Sequence, residues 1–431
     1  MTDAPRTAIA SDRLDVQVAA SVGSIDVVTV RKGLTAVCKP SRETAWRGPA
    51  RFAARIQDTL VLLHELVAAR HAGCVSLTEH AILCVDKALG QFSAGDPDMD
   101  ALREDVRALH LAACRAVPPK PAALAARLVE LAERTERDWM QDAPERYRDV
   151  LGDSGLAALD TILTRKLEAI PLDSPVALSH TGLTLRAMSE SLARALGDIE
   201  RLVRELALDL EAPARYVRIA HELDVAGRPD EALEWLQRGV TAHGAGDDAL
   251  RDTLVAAYLR ADRRKDAIAL LRDELQRAPS AQVTAELLAA AGEERDSERT
   301  WAHAQLAQAA EREGDAGELV TALLADGATA AALNAADKLP VPVPVRLELA
   351  RIAAVDDLDA ALRHYRLLVA AELETSERES YGNAIRHLRA MRKAADAHDR
   401  GAEVVAFAHA AREEHTRRRT LVMMLDKLGW W

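Results

Sequence analysis

The sequence predicts an all-α protein, a partly degenerate solenoid of helical-hairpin repeats preceded by an N-terminal helical region. Three observations carry this. The chain is rich in Ala and Leu and holds only 3% aromatic residues, so the β-branched and aromatic types that suit strands are scarce. The stretch from Pro213 to Ser280 reads as two consecutive helical hairpins in registers 35 residues apart, from Pro213 and from Asp248. Elsewhere apolar residues recur at spacings of three and four between Gly- and Pro-containing breaks. A chain of 431 residues accommodates two or three domains or one extended solenoid. Four segments are expected: a flexible leader over 1–24, an N-terminal helical region over 25–170, hairpin repeats over 171–340, and further repeats with a closing cap over 341–431.

The leader lacks a strong period and has neither the basic nor the apolar region of a signal peptide. With no run of about 18 apolar residues anywhere, a cytoplasmic protein without membrane contact is expected. The run from Ile25 to Cys38 is β-branched, yet a lone strand would have no partner, so a helix is expected. Phe52, Ile56, Leu60, Leu63 and Val67 then fall on one face of a helix. Ser76 with Glu79 reads as a capping box opening the next helix, which ends near Gly90. Asp98 or Asp100 is expected to cap the helix carrying Leu102, Val106, Leu109 and Leu111 to Cys114, and VPPKP (Val117 to Pro121) stops it. Helix continues through PAALAARLVELAERTERDWM. The following DAPERYRDVLGDSGLAALDTILTRKLEAI holds two more helices separated at Gly152, and Pro171 and Pro175 close the region.

Residues 175–209 predict one long amphipathic helix after a polar start. In the first hairpin of the repeat pair, Ala220 and Ala232 let two antiparallel helices approach, Gly227 releases the turn and Tyr216, Ile219 and Leu223 fill the groove; Leu236 and Gly239 complete the set. The second hairpin offers Leu254, Tyr258, Ala267, Leu271 and Pro279. It has Val255 where a small residue belongs and Asp262 where glycine would sit, which predicts looser packing. Both units resemble tetratricopeptide repeats at these positions. Later hairpins are degenerate. LPVPVPV, with Pro340, Pro342 and Pro344, is expected to be non-helical, and Leu421, Met424, Leu425, Leu428, Trp430 and Trp431 are expected to cap the stack.

Chemical motifs fail one by one. GDSG at Gly152 to Gly155 matches a serine-protease loop, but its surroundings are helical, and a nucleophile elbow would need glycine where Leu156 stands. His64 and His71 are seven residues apart rather than the four a metalloprotease helix requires. Cys38, Cys74, Cys84 and Cys114 form no CxxC or CxC pair, which leaves reduced core or surface thiols. No phosphate-binding glycine loop occurs. No catalytic activity, cofactor or metal site is expected.

The net charge of −12 opposes non-specific nucleic-acid binding. The compact basic run Arg412, Arg417, Arg418 and Arg419 nevertheless defines an alternative, a nucleic-acid-associated protein using a C-terminal basic helix. Pairing of Glu413 with Arg417 and of Glu414 with Arg418 would turn that run into a solvated face. The leading expectation is a scaffold or adaptor that binds another protein or peptide. In stacked hairpins the first helix of each unit lines one surface, which places Ala214, Val217, His221, Asp224 and Val225 beside Ala249, Asp252, Ala256, Leu259 and Arg260. Val217, His221, Asp224, Asp252 and Arg260 are the candidate partner-binding residues.

Four stretches carry a further likeness: Leu109 to Leu131, Arg146 to Leu159, YVRIAHELDVAGRPDEALEWLQRGV, and YGNAIRHLRAMRKAADAH with REEHTRRRTLVMMLDKLG. They resemble the helical carboxy-terminal region of bacterial SWIM zinc-finger proteins. The CxC and CxH elements of that finger are absent, so its zinc and nucleic-acid binding are not implied. What the resemblance implies is a bacterial protein with a helical interaction region.

Overall fold

The computed structural model describes residues 26–39, 48–92, 95–171 and 174–431; the expected leader lies outside them. Among the described residues the regular structure is 22 α-helices and one short 3-10 turn. The chain divides into two compact units, one ending at Glu211 and the other running from Ala212 to Trp431. That division falls inside the segment expected to hold the first repeats.

The first unit contains α1 (Val27–Cys38), α2 (Pro49–Ala68), α3 (Cys74–Leu89), α4 (Pro97–Ala116), α5 (Pro121–Arg134), α6 (Ala143–Arg146), α7 (Arg148–Glu168), α8 (His180–Leu196) and α9 (Ile199–Leu206). Helices α2 and α3 both pack on α4, α1 lies on α3, α5 pairs with α7, and α8 receives α6, α7 and α9. Phe52, Ile56 and Leu63 of α2, Leu77 and Ile82 of α3 and Leu102 of α4 share one buried core with Leu124, Leu128 and Leu159. Each such side chain contributes about 1.5–3 kcal/mol relative to exposure.

Several local expectations are corrected. Ser76 does not cap α3: the helix begins at Cys74, and the Ser76 hydroxyl instead donates back to the Gly73 carbonyl at 3.1 Å. Neither Asp98 nor Asp100 caps α4. Asp96 does so, accepting from the Asp98 and Met99 amides at 3.1 and 3.2 Å, because Pro97 is preset for the first helical position. Helix α5 stops at Arg134 rather than running through DWM; buried Asp86 accepts the Glu136 amide at 2.9 Å and the Trp139 indole N–H at 2.8 Å, holding that segment in a turn. The single helix expected over 175–209 is two, since Gly197 closes α8 at φ 71° and Asp198 caps α9. Gly152 interrupts α7 at φ 54° and ψ −175°, as its position between two helical patterns suggests.

The second unit contains the hairpins α10 (Pro213–Val225) with α11 (Pro229–His243), α12 (Asp248–Arg260) with α13 (Arg264–Arg277), and α14 (Ala281–Ala290) with α15 (Arg295–Glu313). They are followed by α16 (Gly317–Ala325) with α17 (Thr329–Lys338), α18 (Val343–Ala353) with α19 (Leu358–Glu374), α20 (Arg378–Asp396) with α21 (Gly401–Glu414), and the closing α22 (Arg419–Asp426). Each helix packs on the next, and α10 also meets α12, α14 meets α16, α16 meets α18 and α20 meets α22. Contacts limited to near neighbours are the signature of stacked hairpins.

In the first hairpin a Cβ on Gly239 would stand 2.9 Å from Tyr216, so the close approach requires glycine there. Gly227 turns the chain at φ 75°, and in the next hairpin Asp262 takes the same left-handed role at φ 57°. The α12–α13 interface is smaller than that of α10–α11, in keeping with half-buried Val255. The proline run is extended only to Pro342; Pro344 lies in the first turn of α18, where a missing N–H leaves no bond unmade. Leu421 and Leu425 of α22 are buried against Val369, Tyr381, Ile385 and Leu388, with Met424, Leu428 and Trp430 packed beside them. Trp431 stays 47% exposed.

Candidate functional site

Helices α10 and α12 lie side by side and leave an open groove of about 450 Å³, lined by Val217, His221, Asp224, Asp252, Thr253, Ala256 and Arg260. The structure thus brings together all five candidate partner-binding residues. Arg260 Nη2 donates to Asp224 Oδ2 at 2.7 Å across the two helices. Asp252 is steered from below by Arg251, whose Nη2 stands 3.2 Å from Asp252 Oδ1. Arg251 is itself 1% exposed and held by Glu286 of α14 at 2.9 and 3.1 Å and by Asp248 at 2.8 Å. Ala214, Val225, Ala249 and Leu259, expected on the same surface, are exposed but outside the groove lining.

The basic run is used differently from the expectation. Helix α21 ends at Glu414, so Arg417 lies in a turn and the pairs Glu413–Arg417 and Glu414–Arg418 do not form; Glu413 faces His409 at 3.7 Å instead. Arg412 clasps Asp426 at 2.6 and 3.2 Å, which holds its guanidinium above the usual range, and Arg418 donates to the carbonyls of Leu373 and Thr375. Both tie down α22. Only Arg417 and Arg419 of the four project as exposed side chains.

Among the described residues of the second unit, two further grooves were not read from the sequence. One of about 480 Å³ lies between α16 and α18, lined by Thr321, Leu324, Ala325, Pro344, Val345, Glu348 and Ile352. The other, about 650 Å³, lies between α20 and α22; Arg378, Arg386, Arg389 and Lys427 surround an apolar floor of Tyr381, Ile385, Met423 and Met424, and no carboxylate lines it. Arginines at spacings of eight and three along α20 are the signal that would have found it. Of the three grooves, those at α10–α12 and α16–α18 lie between first helices of successive hairpins, and the third lies between the first helix of the last hairpin and the closing helix α22.

The remaining motif residues lie outside these grooves. His64 and Glu65 are exposed on α2, and His71 follows its end, with Nδ1 accepting the Gly73 amide at 3.1 Å. Asp153, Ser154 and Gly155 lie within α7 beyond the Gly152 kink. Among the described residues no group of three or more His, Cys, Asp and Glu side chains is placed to hold a metal ion, and no helix is long and apolar enough to cross a membrane.

No family model and no curated protein matches the chain, so nothing beyond the quoted stretches stands behind the SWIM resemblance. Among solved structures the chain is similar to the TPR domain of P58(IPK), at 14% identity and TM-score 0.20, covering 93% of this chain and 96% of that one. It is also similar to a circular tandem repeat protein, at 15% identity and TM-score 0.18, covering 93% and 95%. A third likeness is to the APC/C hetero-tetramer Cut9–Hcn1, at 12% identity and TM-score 0.21, covering 88% and 86%. The hairpin architecture described above rests on the chain's own helices.

Proposed function

We propose that this chain is a protein-interaction scaffold whose working surface is the first-helix face of its second unit. What supports the reading is the placement of three grooves along the second unit, two between successive first helices and one between α20 and the closing α22, each with its own chemistry. The α10–α12 groove carries a cross-helix Asp–Arg pair, the α16–α18 groove is mainly apolar, and the α20–α22 groove is cationic. Grooves of this kind accept an extended peptide or an amphipathic helix, with apolar contacts anchoring it and charges fixing its register.

The test is purification of the full chain from its native cell with mass-spectrometric identification of partners, run beside Arg260→Glu and an Arg386→Glu, Arg389→Glu double variant. A partner lost from either variant supports the reading. A strictly solitary monomer, or a partner indifferent to both variants, would sink it.

The cationic groove also favours a second reading, nucleic-acid association through Arg378, Arg386, Arg389 and Lys427 together with Arg417 and Arg419. Titration with DNA and RNA at low and high salt decides it, because phosphate contacts release counterions and give a steep salt dependence. Absence of binding at low salt removes it.

A further inference from the structure

The cationic groove between α20 and α22 is built from two regular stripes. Along α20, Arg378, Gly382, Ile385 and Arg389 follow at spacings of four, three and four, so they share one face, with Tyr381 and Arg386 on either side of it. Along α22, Thr420, Met423, Met424 and Lys427 follow at spacings of three, one and three. Tyr381 and Ile385 are buried, Met424 is half-buried and Met423 is 58% exposed. From Arg378 to Arg389 the stripe on α20 runs about 16 Å, or three helical turns.

Gly382 is the open point of this face. It lies in the interior of α20, where glycine weakens a helix relative to alanine, and a Cβ built there would meet nothing within 4 Å. The room beside it is therefore not filled by this chain's own side chains, and it lets a large apolar side chain from outside approach α20 closely. The charge is equally unanswered. Among the described residues Arg378, Arg389 and Lys427 form no ion pair, and Arg386 donates to the Asn383 side-chain oxygen. Nearby arginines are committed, Arg392 to Asp396, Arg400 to Asp359 and Arg412 to Asp426. In a chain of net charge −12, these four cations are left together with no carboxylate in the lining to offset their repulsion.

The lining also sets the form of the occupant. An extended peptide would lay its amides over Tyr381, Ile385 and the two methionines, and among the described residues there is no strand whose edge could pair with it. A helix satisfies its own main chain. A phosphate backbone would answer the cations and leave the apolar floor uncovered, and Tyr381, at 4% exposure, offers no face on which a base could stack.

We propose, building on the scaffold reading, that the α20–α22 groove receives an acidic amphipathic helix of a protein partner. Its apolar side chains, spaced i, i+3, i+4 and i+7, cover Met423, Met424 and Ile385 and enter the room beside Gly382, while flanking carboxylates meet Arg378, Arg386, Arg389 and Lys427. The unbranched methionines adapt to the shape of the incoming face.

A fluorescein-labelled synthetic helix of about four turns, with leucines at that spacing and glutamates on both flanks, is titrated into the full chain and followed by anisotropy. Saturable binding is expected. It should weaken about tenfold or more in the Arg386→Glu, Arg389→Glu double variant and in Gly382→Leu, and for a lysine-flanked version of the peptide. Lys393→Glu, on α20 but outside the groove, should bind as the wild type does. The substituted arginines are exposed and Gly382 faces open space, so neither variant disturbs the core. No saturable binding, equal binding of the lysine-flanked peptide, or equal binding by Gly382→Leu overturns the proposal. So does a single-stranded oligonucleotide that binds more tightly than the peptide and ignores Gly382→Leu, or self-association in sedimentation that Gly382→Leu removes, which would seat a second copy in the groove. Any of these results, with partners still recovered from the native cell, strikes this inference alone; a solitary chain there strikes the scaffold reading.

Discussion

Gly239 sits where α11 crosses Tyr216, and a methyl group there would approach the Tyr216 ring and Leu250 to 2.9 and 3.0 Å. Gly239→Ala is expected to destabilise the chain by about 1–3 kcal/mol, since overpacking forces side chains off their rotamers; a thermal melt with an unchanged midpoint would contradict this. His364 is fully buried and lies 3.0 Å from Arg346, and burial, followed by Arg346, pushes its imidazole below the ordinary value. The folded state therefore binds fewer protons at this site than the unfolded chain does. Its contribution to stability is present above the unfolded pKa of about 6.5 and is lost as pH falls below it. The thermal midpoint is expected to drop between pH 7 and pH 5, and to drop less in His364→Gln. An equal drop in both proteins would show that other groups dominate. Residue chemistry of this kind was only partly legible. Val217, His221, Asp224, Asp252 and Arg260 could be placed because hairpin periodicity puts them on one face. The convergence of Thr35, His80 and Cys84 could not, because it joins two helices about 45 residues apart.

At the scale of elements, apolar periodicity located most helices, while their ends depended on competition between neighbouring polar groups. Asp96 won the cap of α4 from Asp98 because Pro97 follows it, and Gly197 split a helix whose apolar pattern continues on either side. The closing helix α22 is held by Leu421 and Leu425 and by the Arg412–Asp426 and Arg418–carbonyl contacts. Truncation after Glu414 uncovers Val369, Tyr381, Ile385 and Leu388, and an exposed terminal face makes a repeat array prone to association. The truncated chain is expected to bind more of an apolar dye and to self-associate in sedimentation. A monodisperse, dye-silent truncation would show that α22 is dispensable.

At the scale of the whole molecule, the second unit draws its stability from helix–helix interfaces within and between adjacent hairpins, so local opening is favoured where such an interface is small. The α12–α13 interface is smaller than that of α10–α11. Amide exchange is expected to be faster in α13 than in α11, and the reverse order would contradict the ranking. The same sequential packing explains what could be read in advance and what could not. Helical propensity, apolar spacing and turn residues are local properties, so the all-α class, the hairpin pair and the face carrying the α10–α12 groove were determined by the sequence itself. The cationic α20–α22 groove, the recruitment of Arg412 and Arg418 into the fold, the buried Arg251 with its three carboxylates, and the meeting of Thr35, His80 and Cys84 were decided only by tertiary structure. Each depends on which side chains from separate helices come within a few ångströms, where desolvation and charge act, and linear spacing carries no information about that distance.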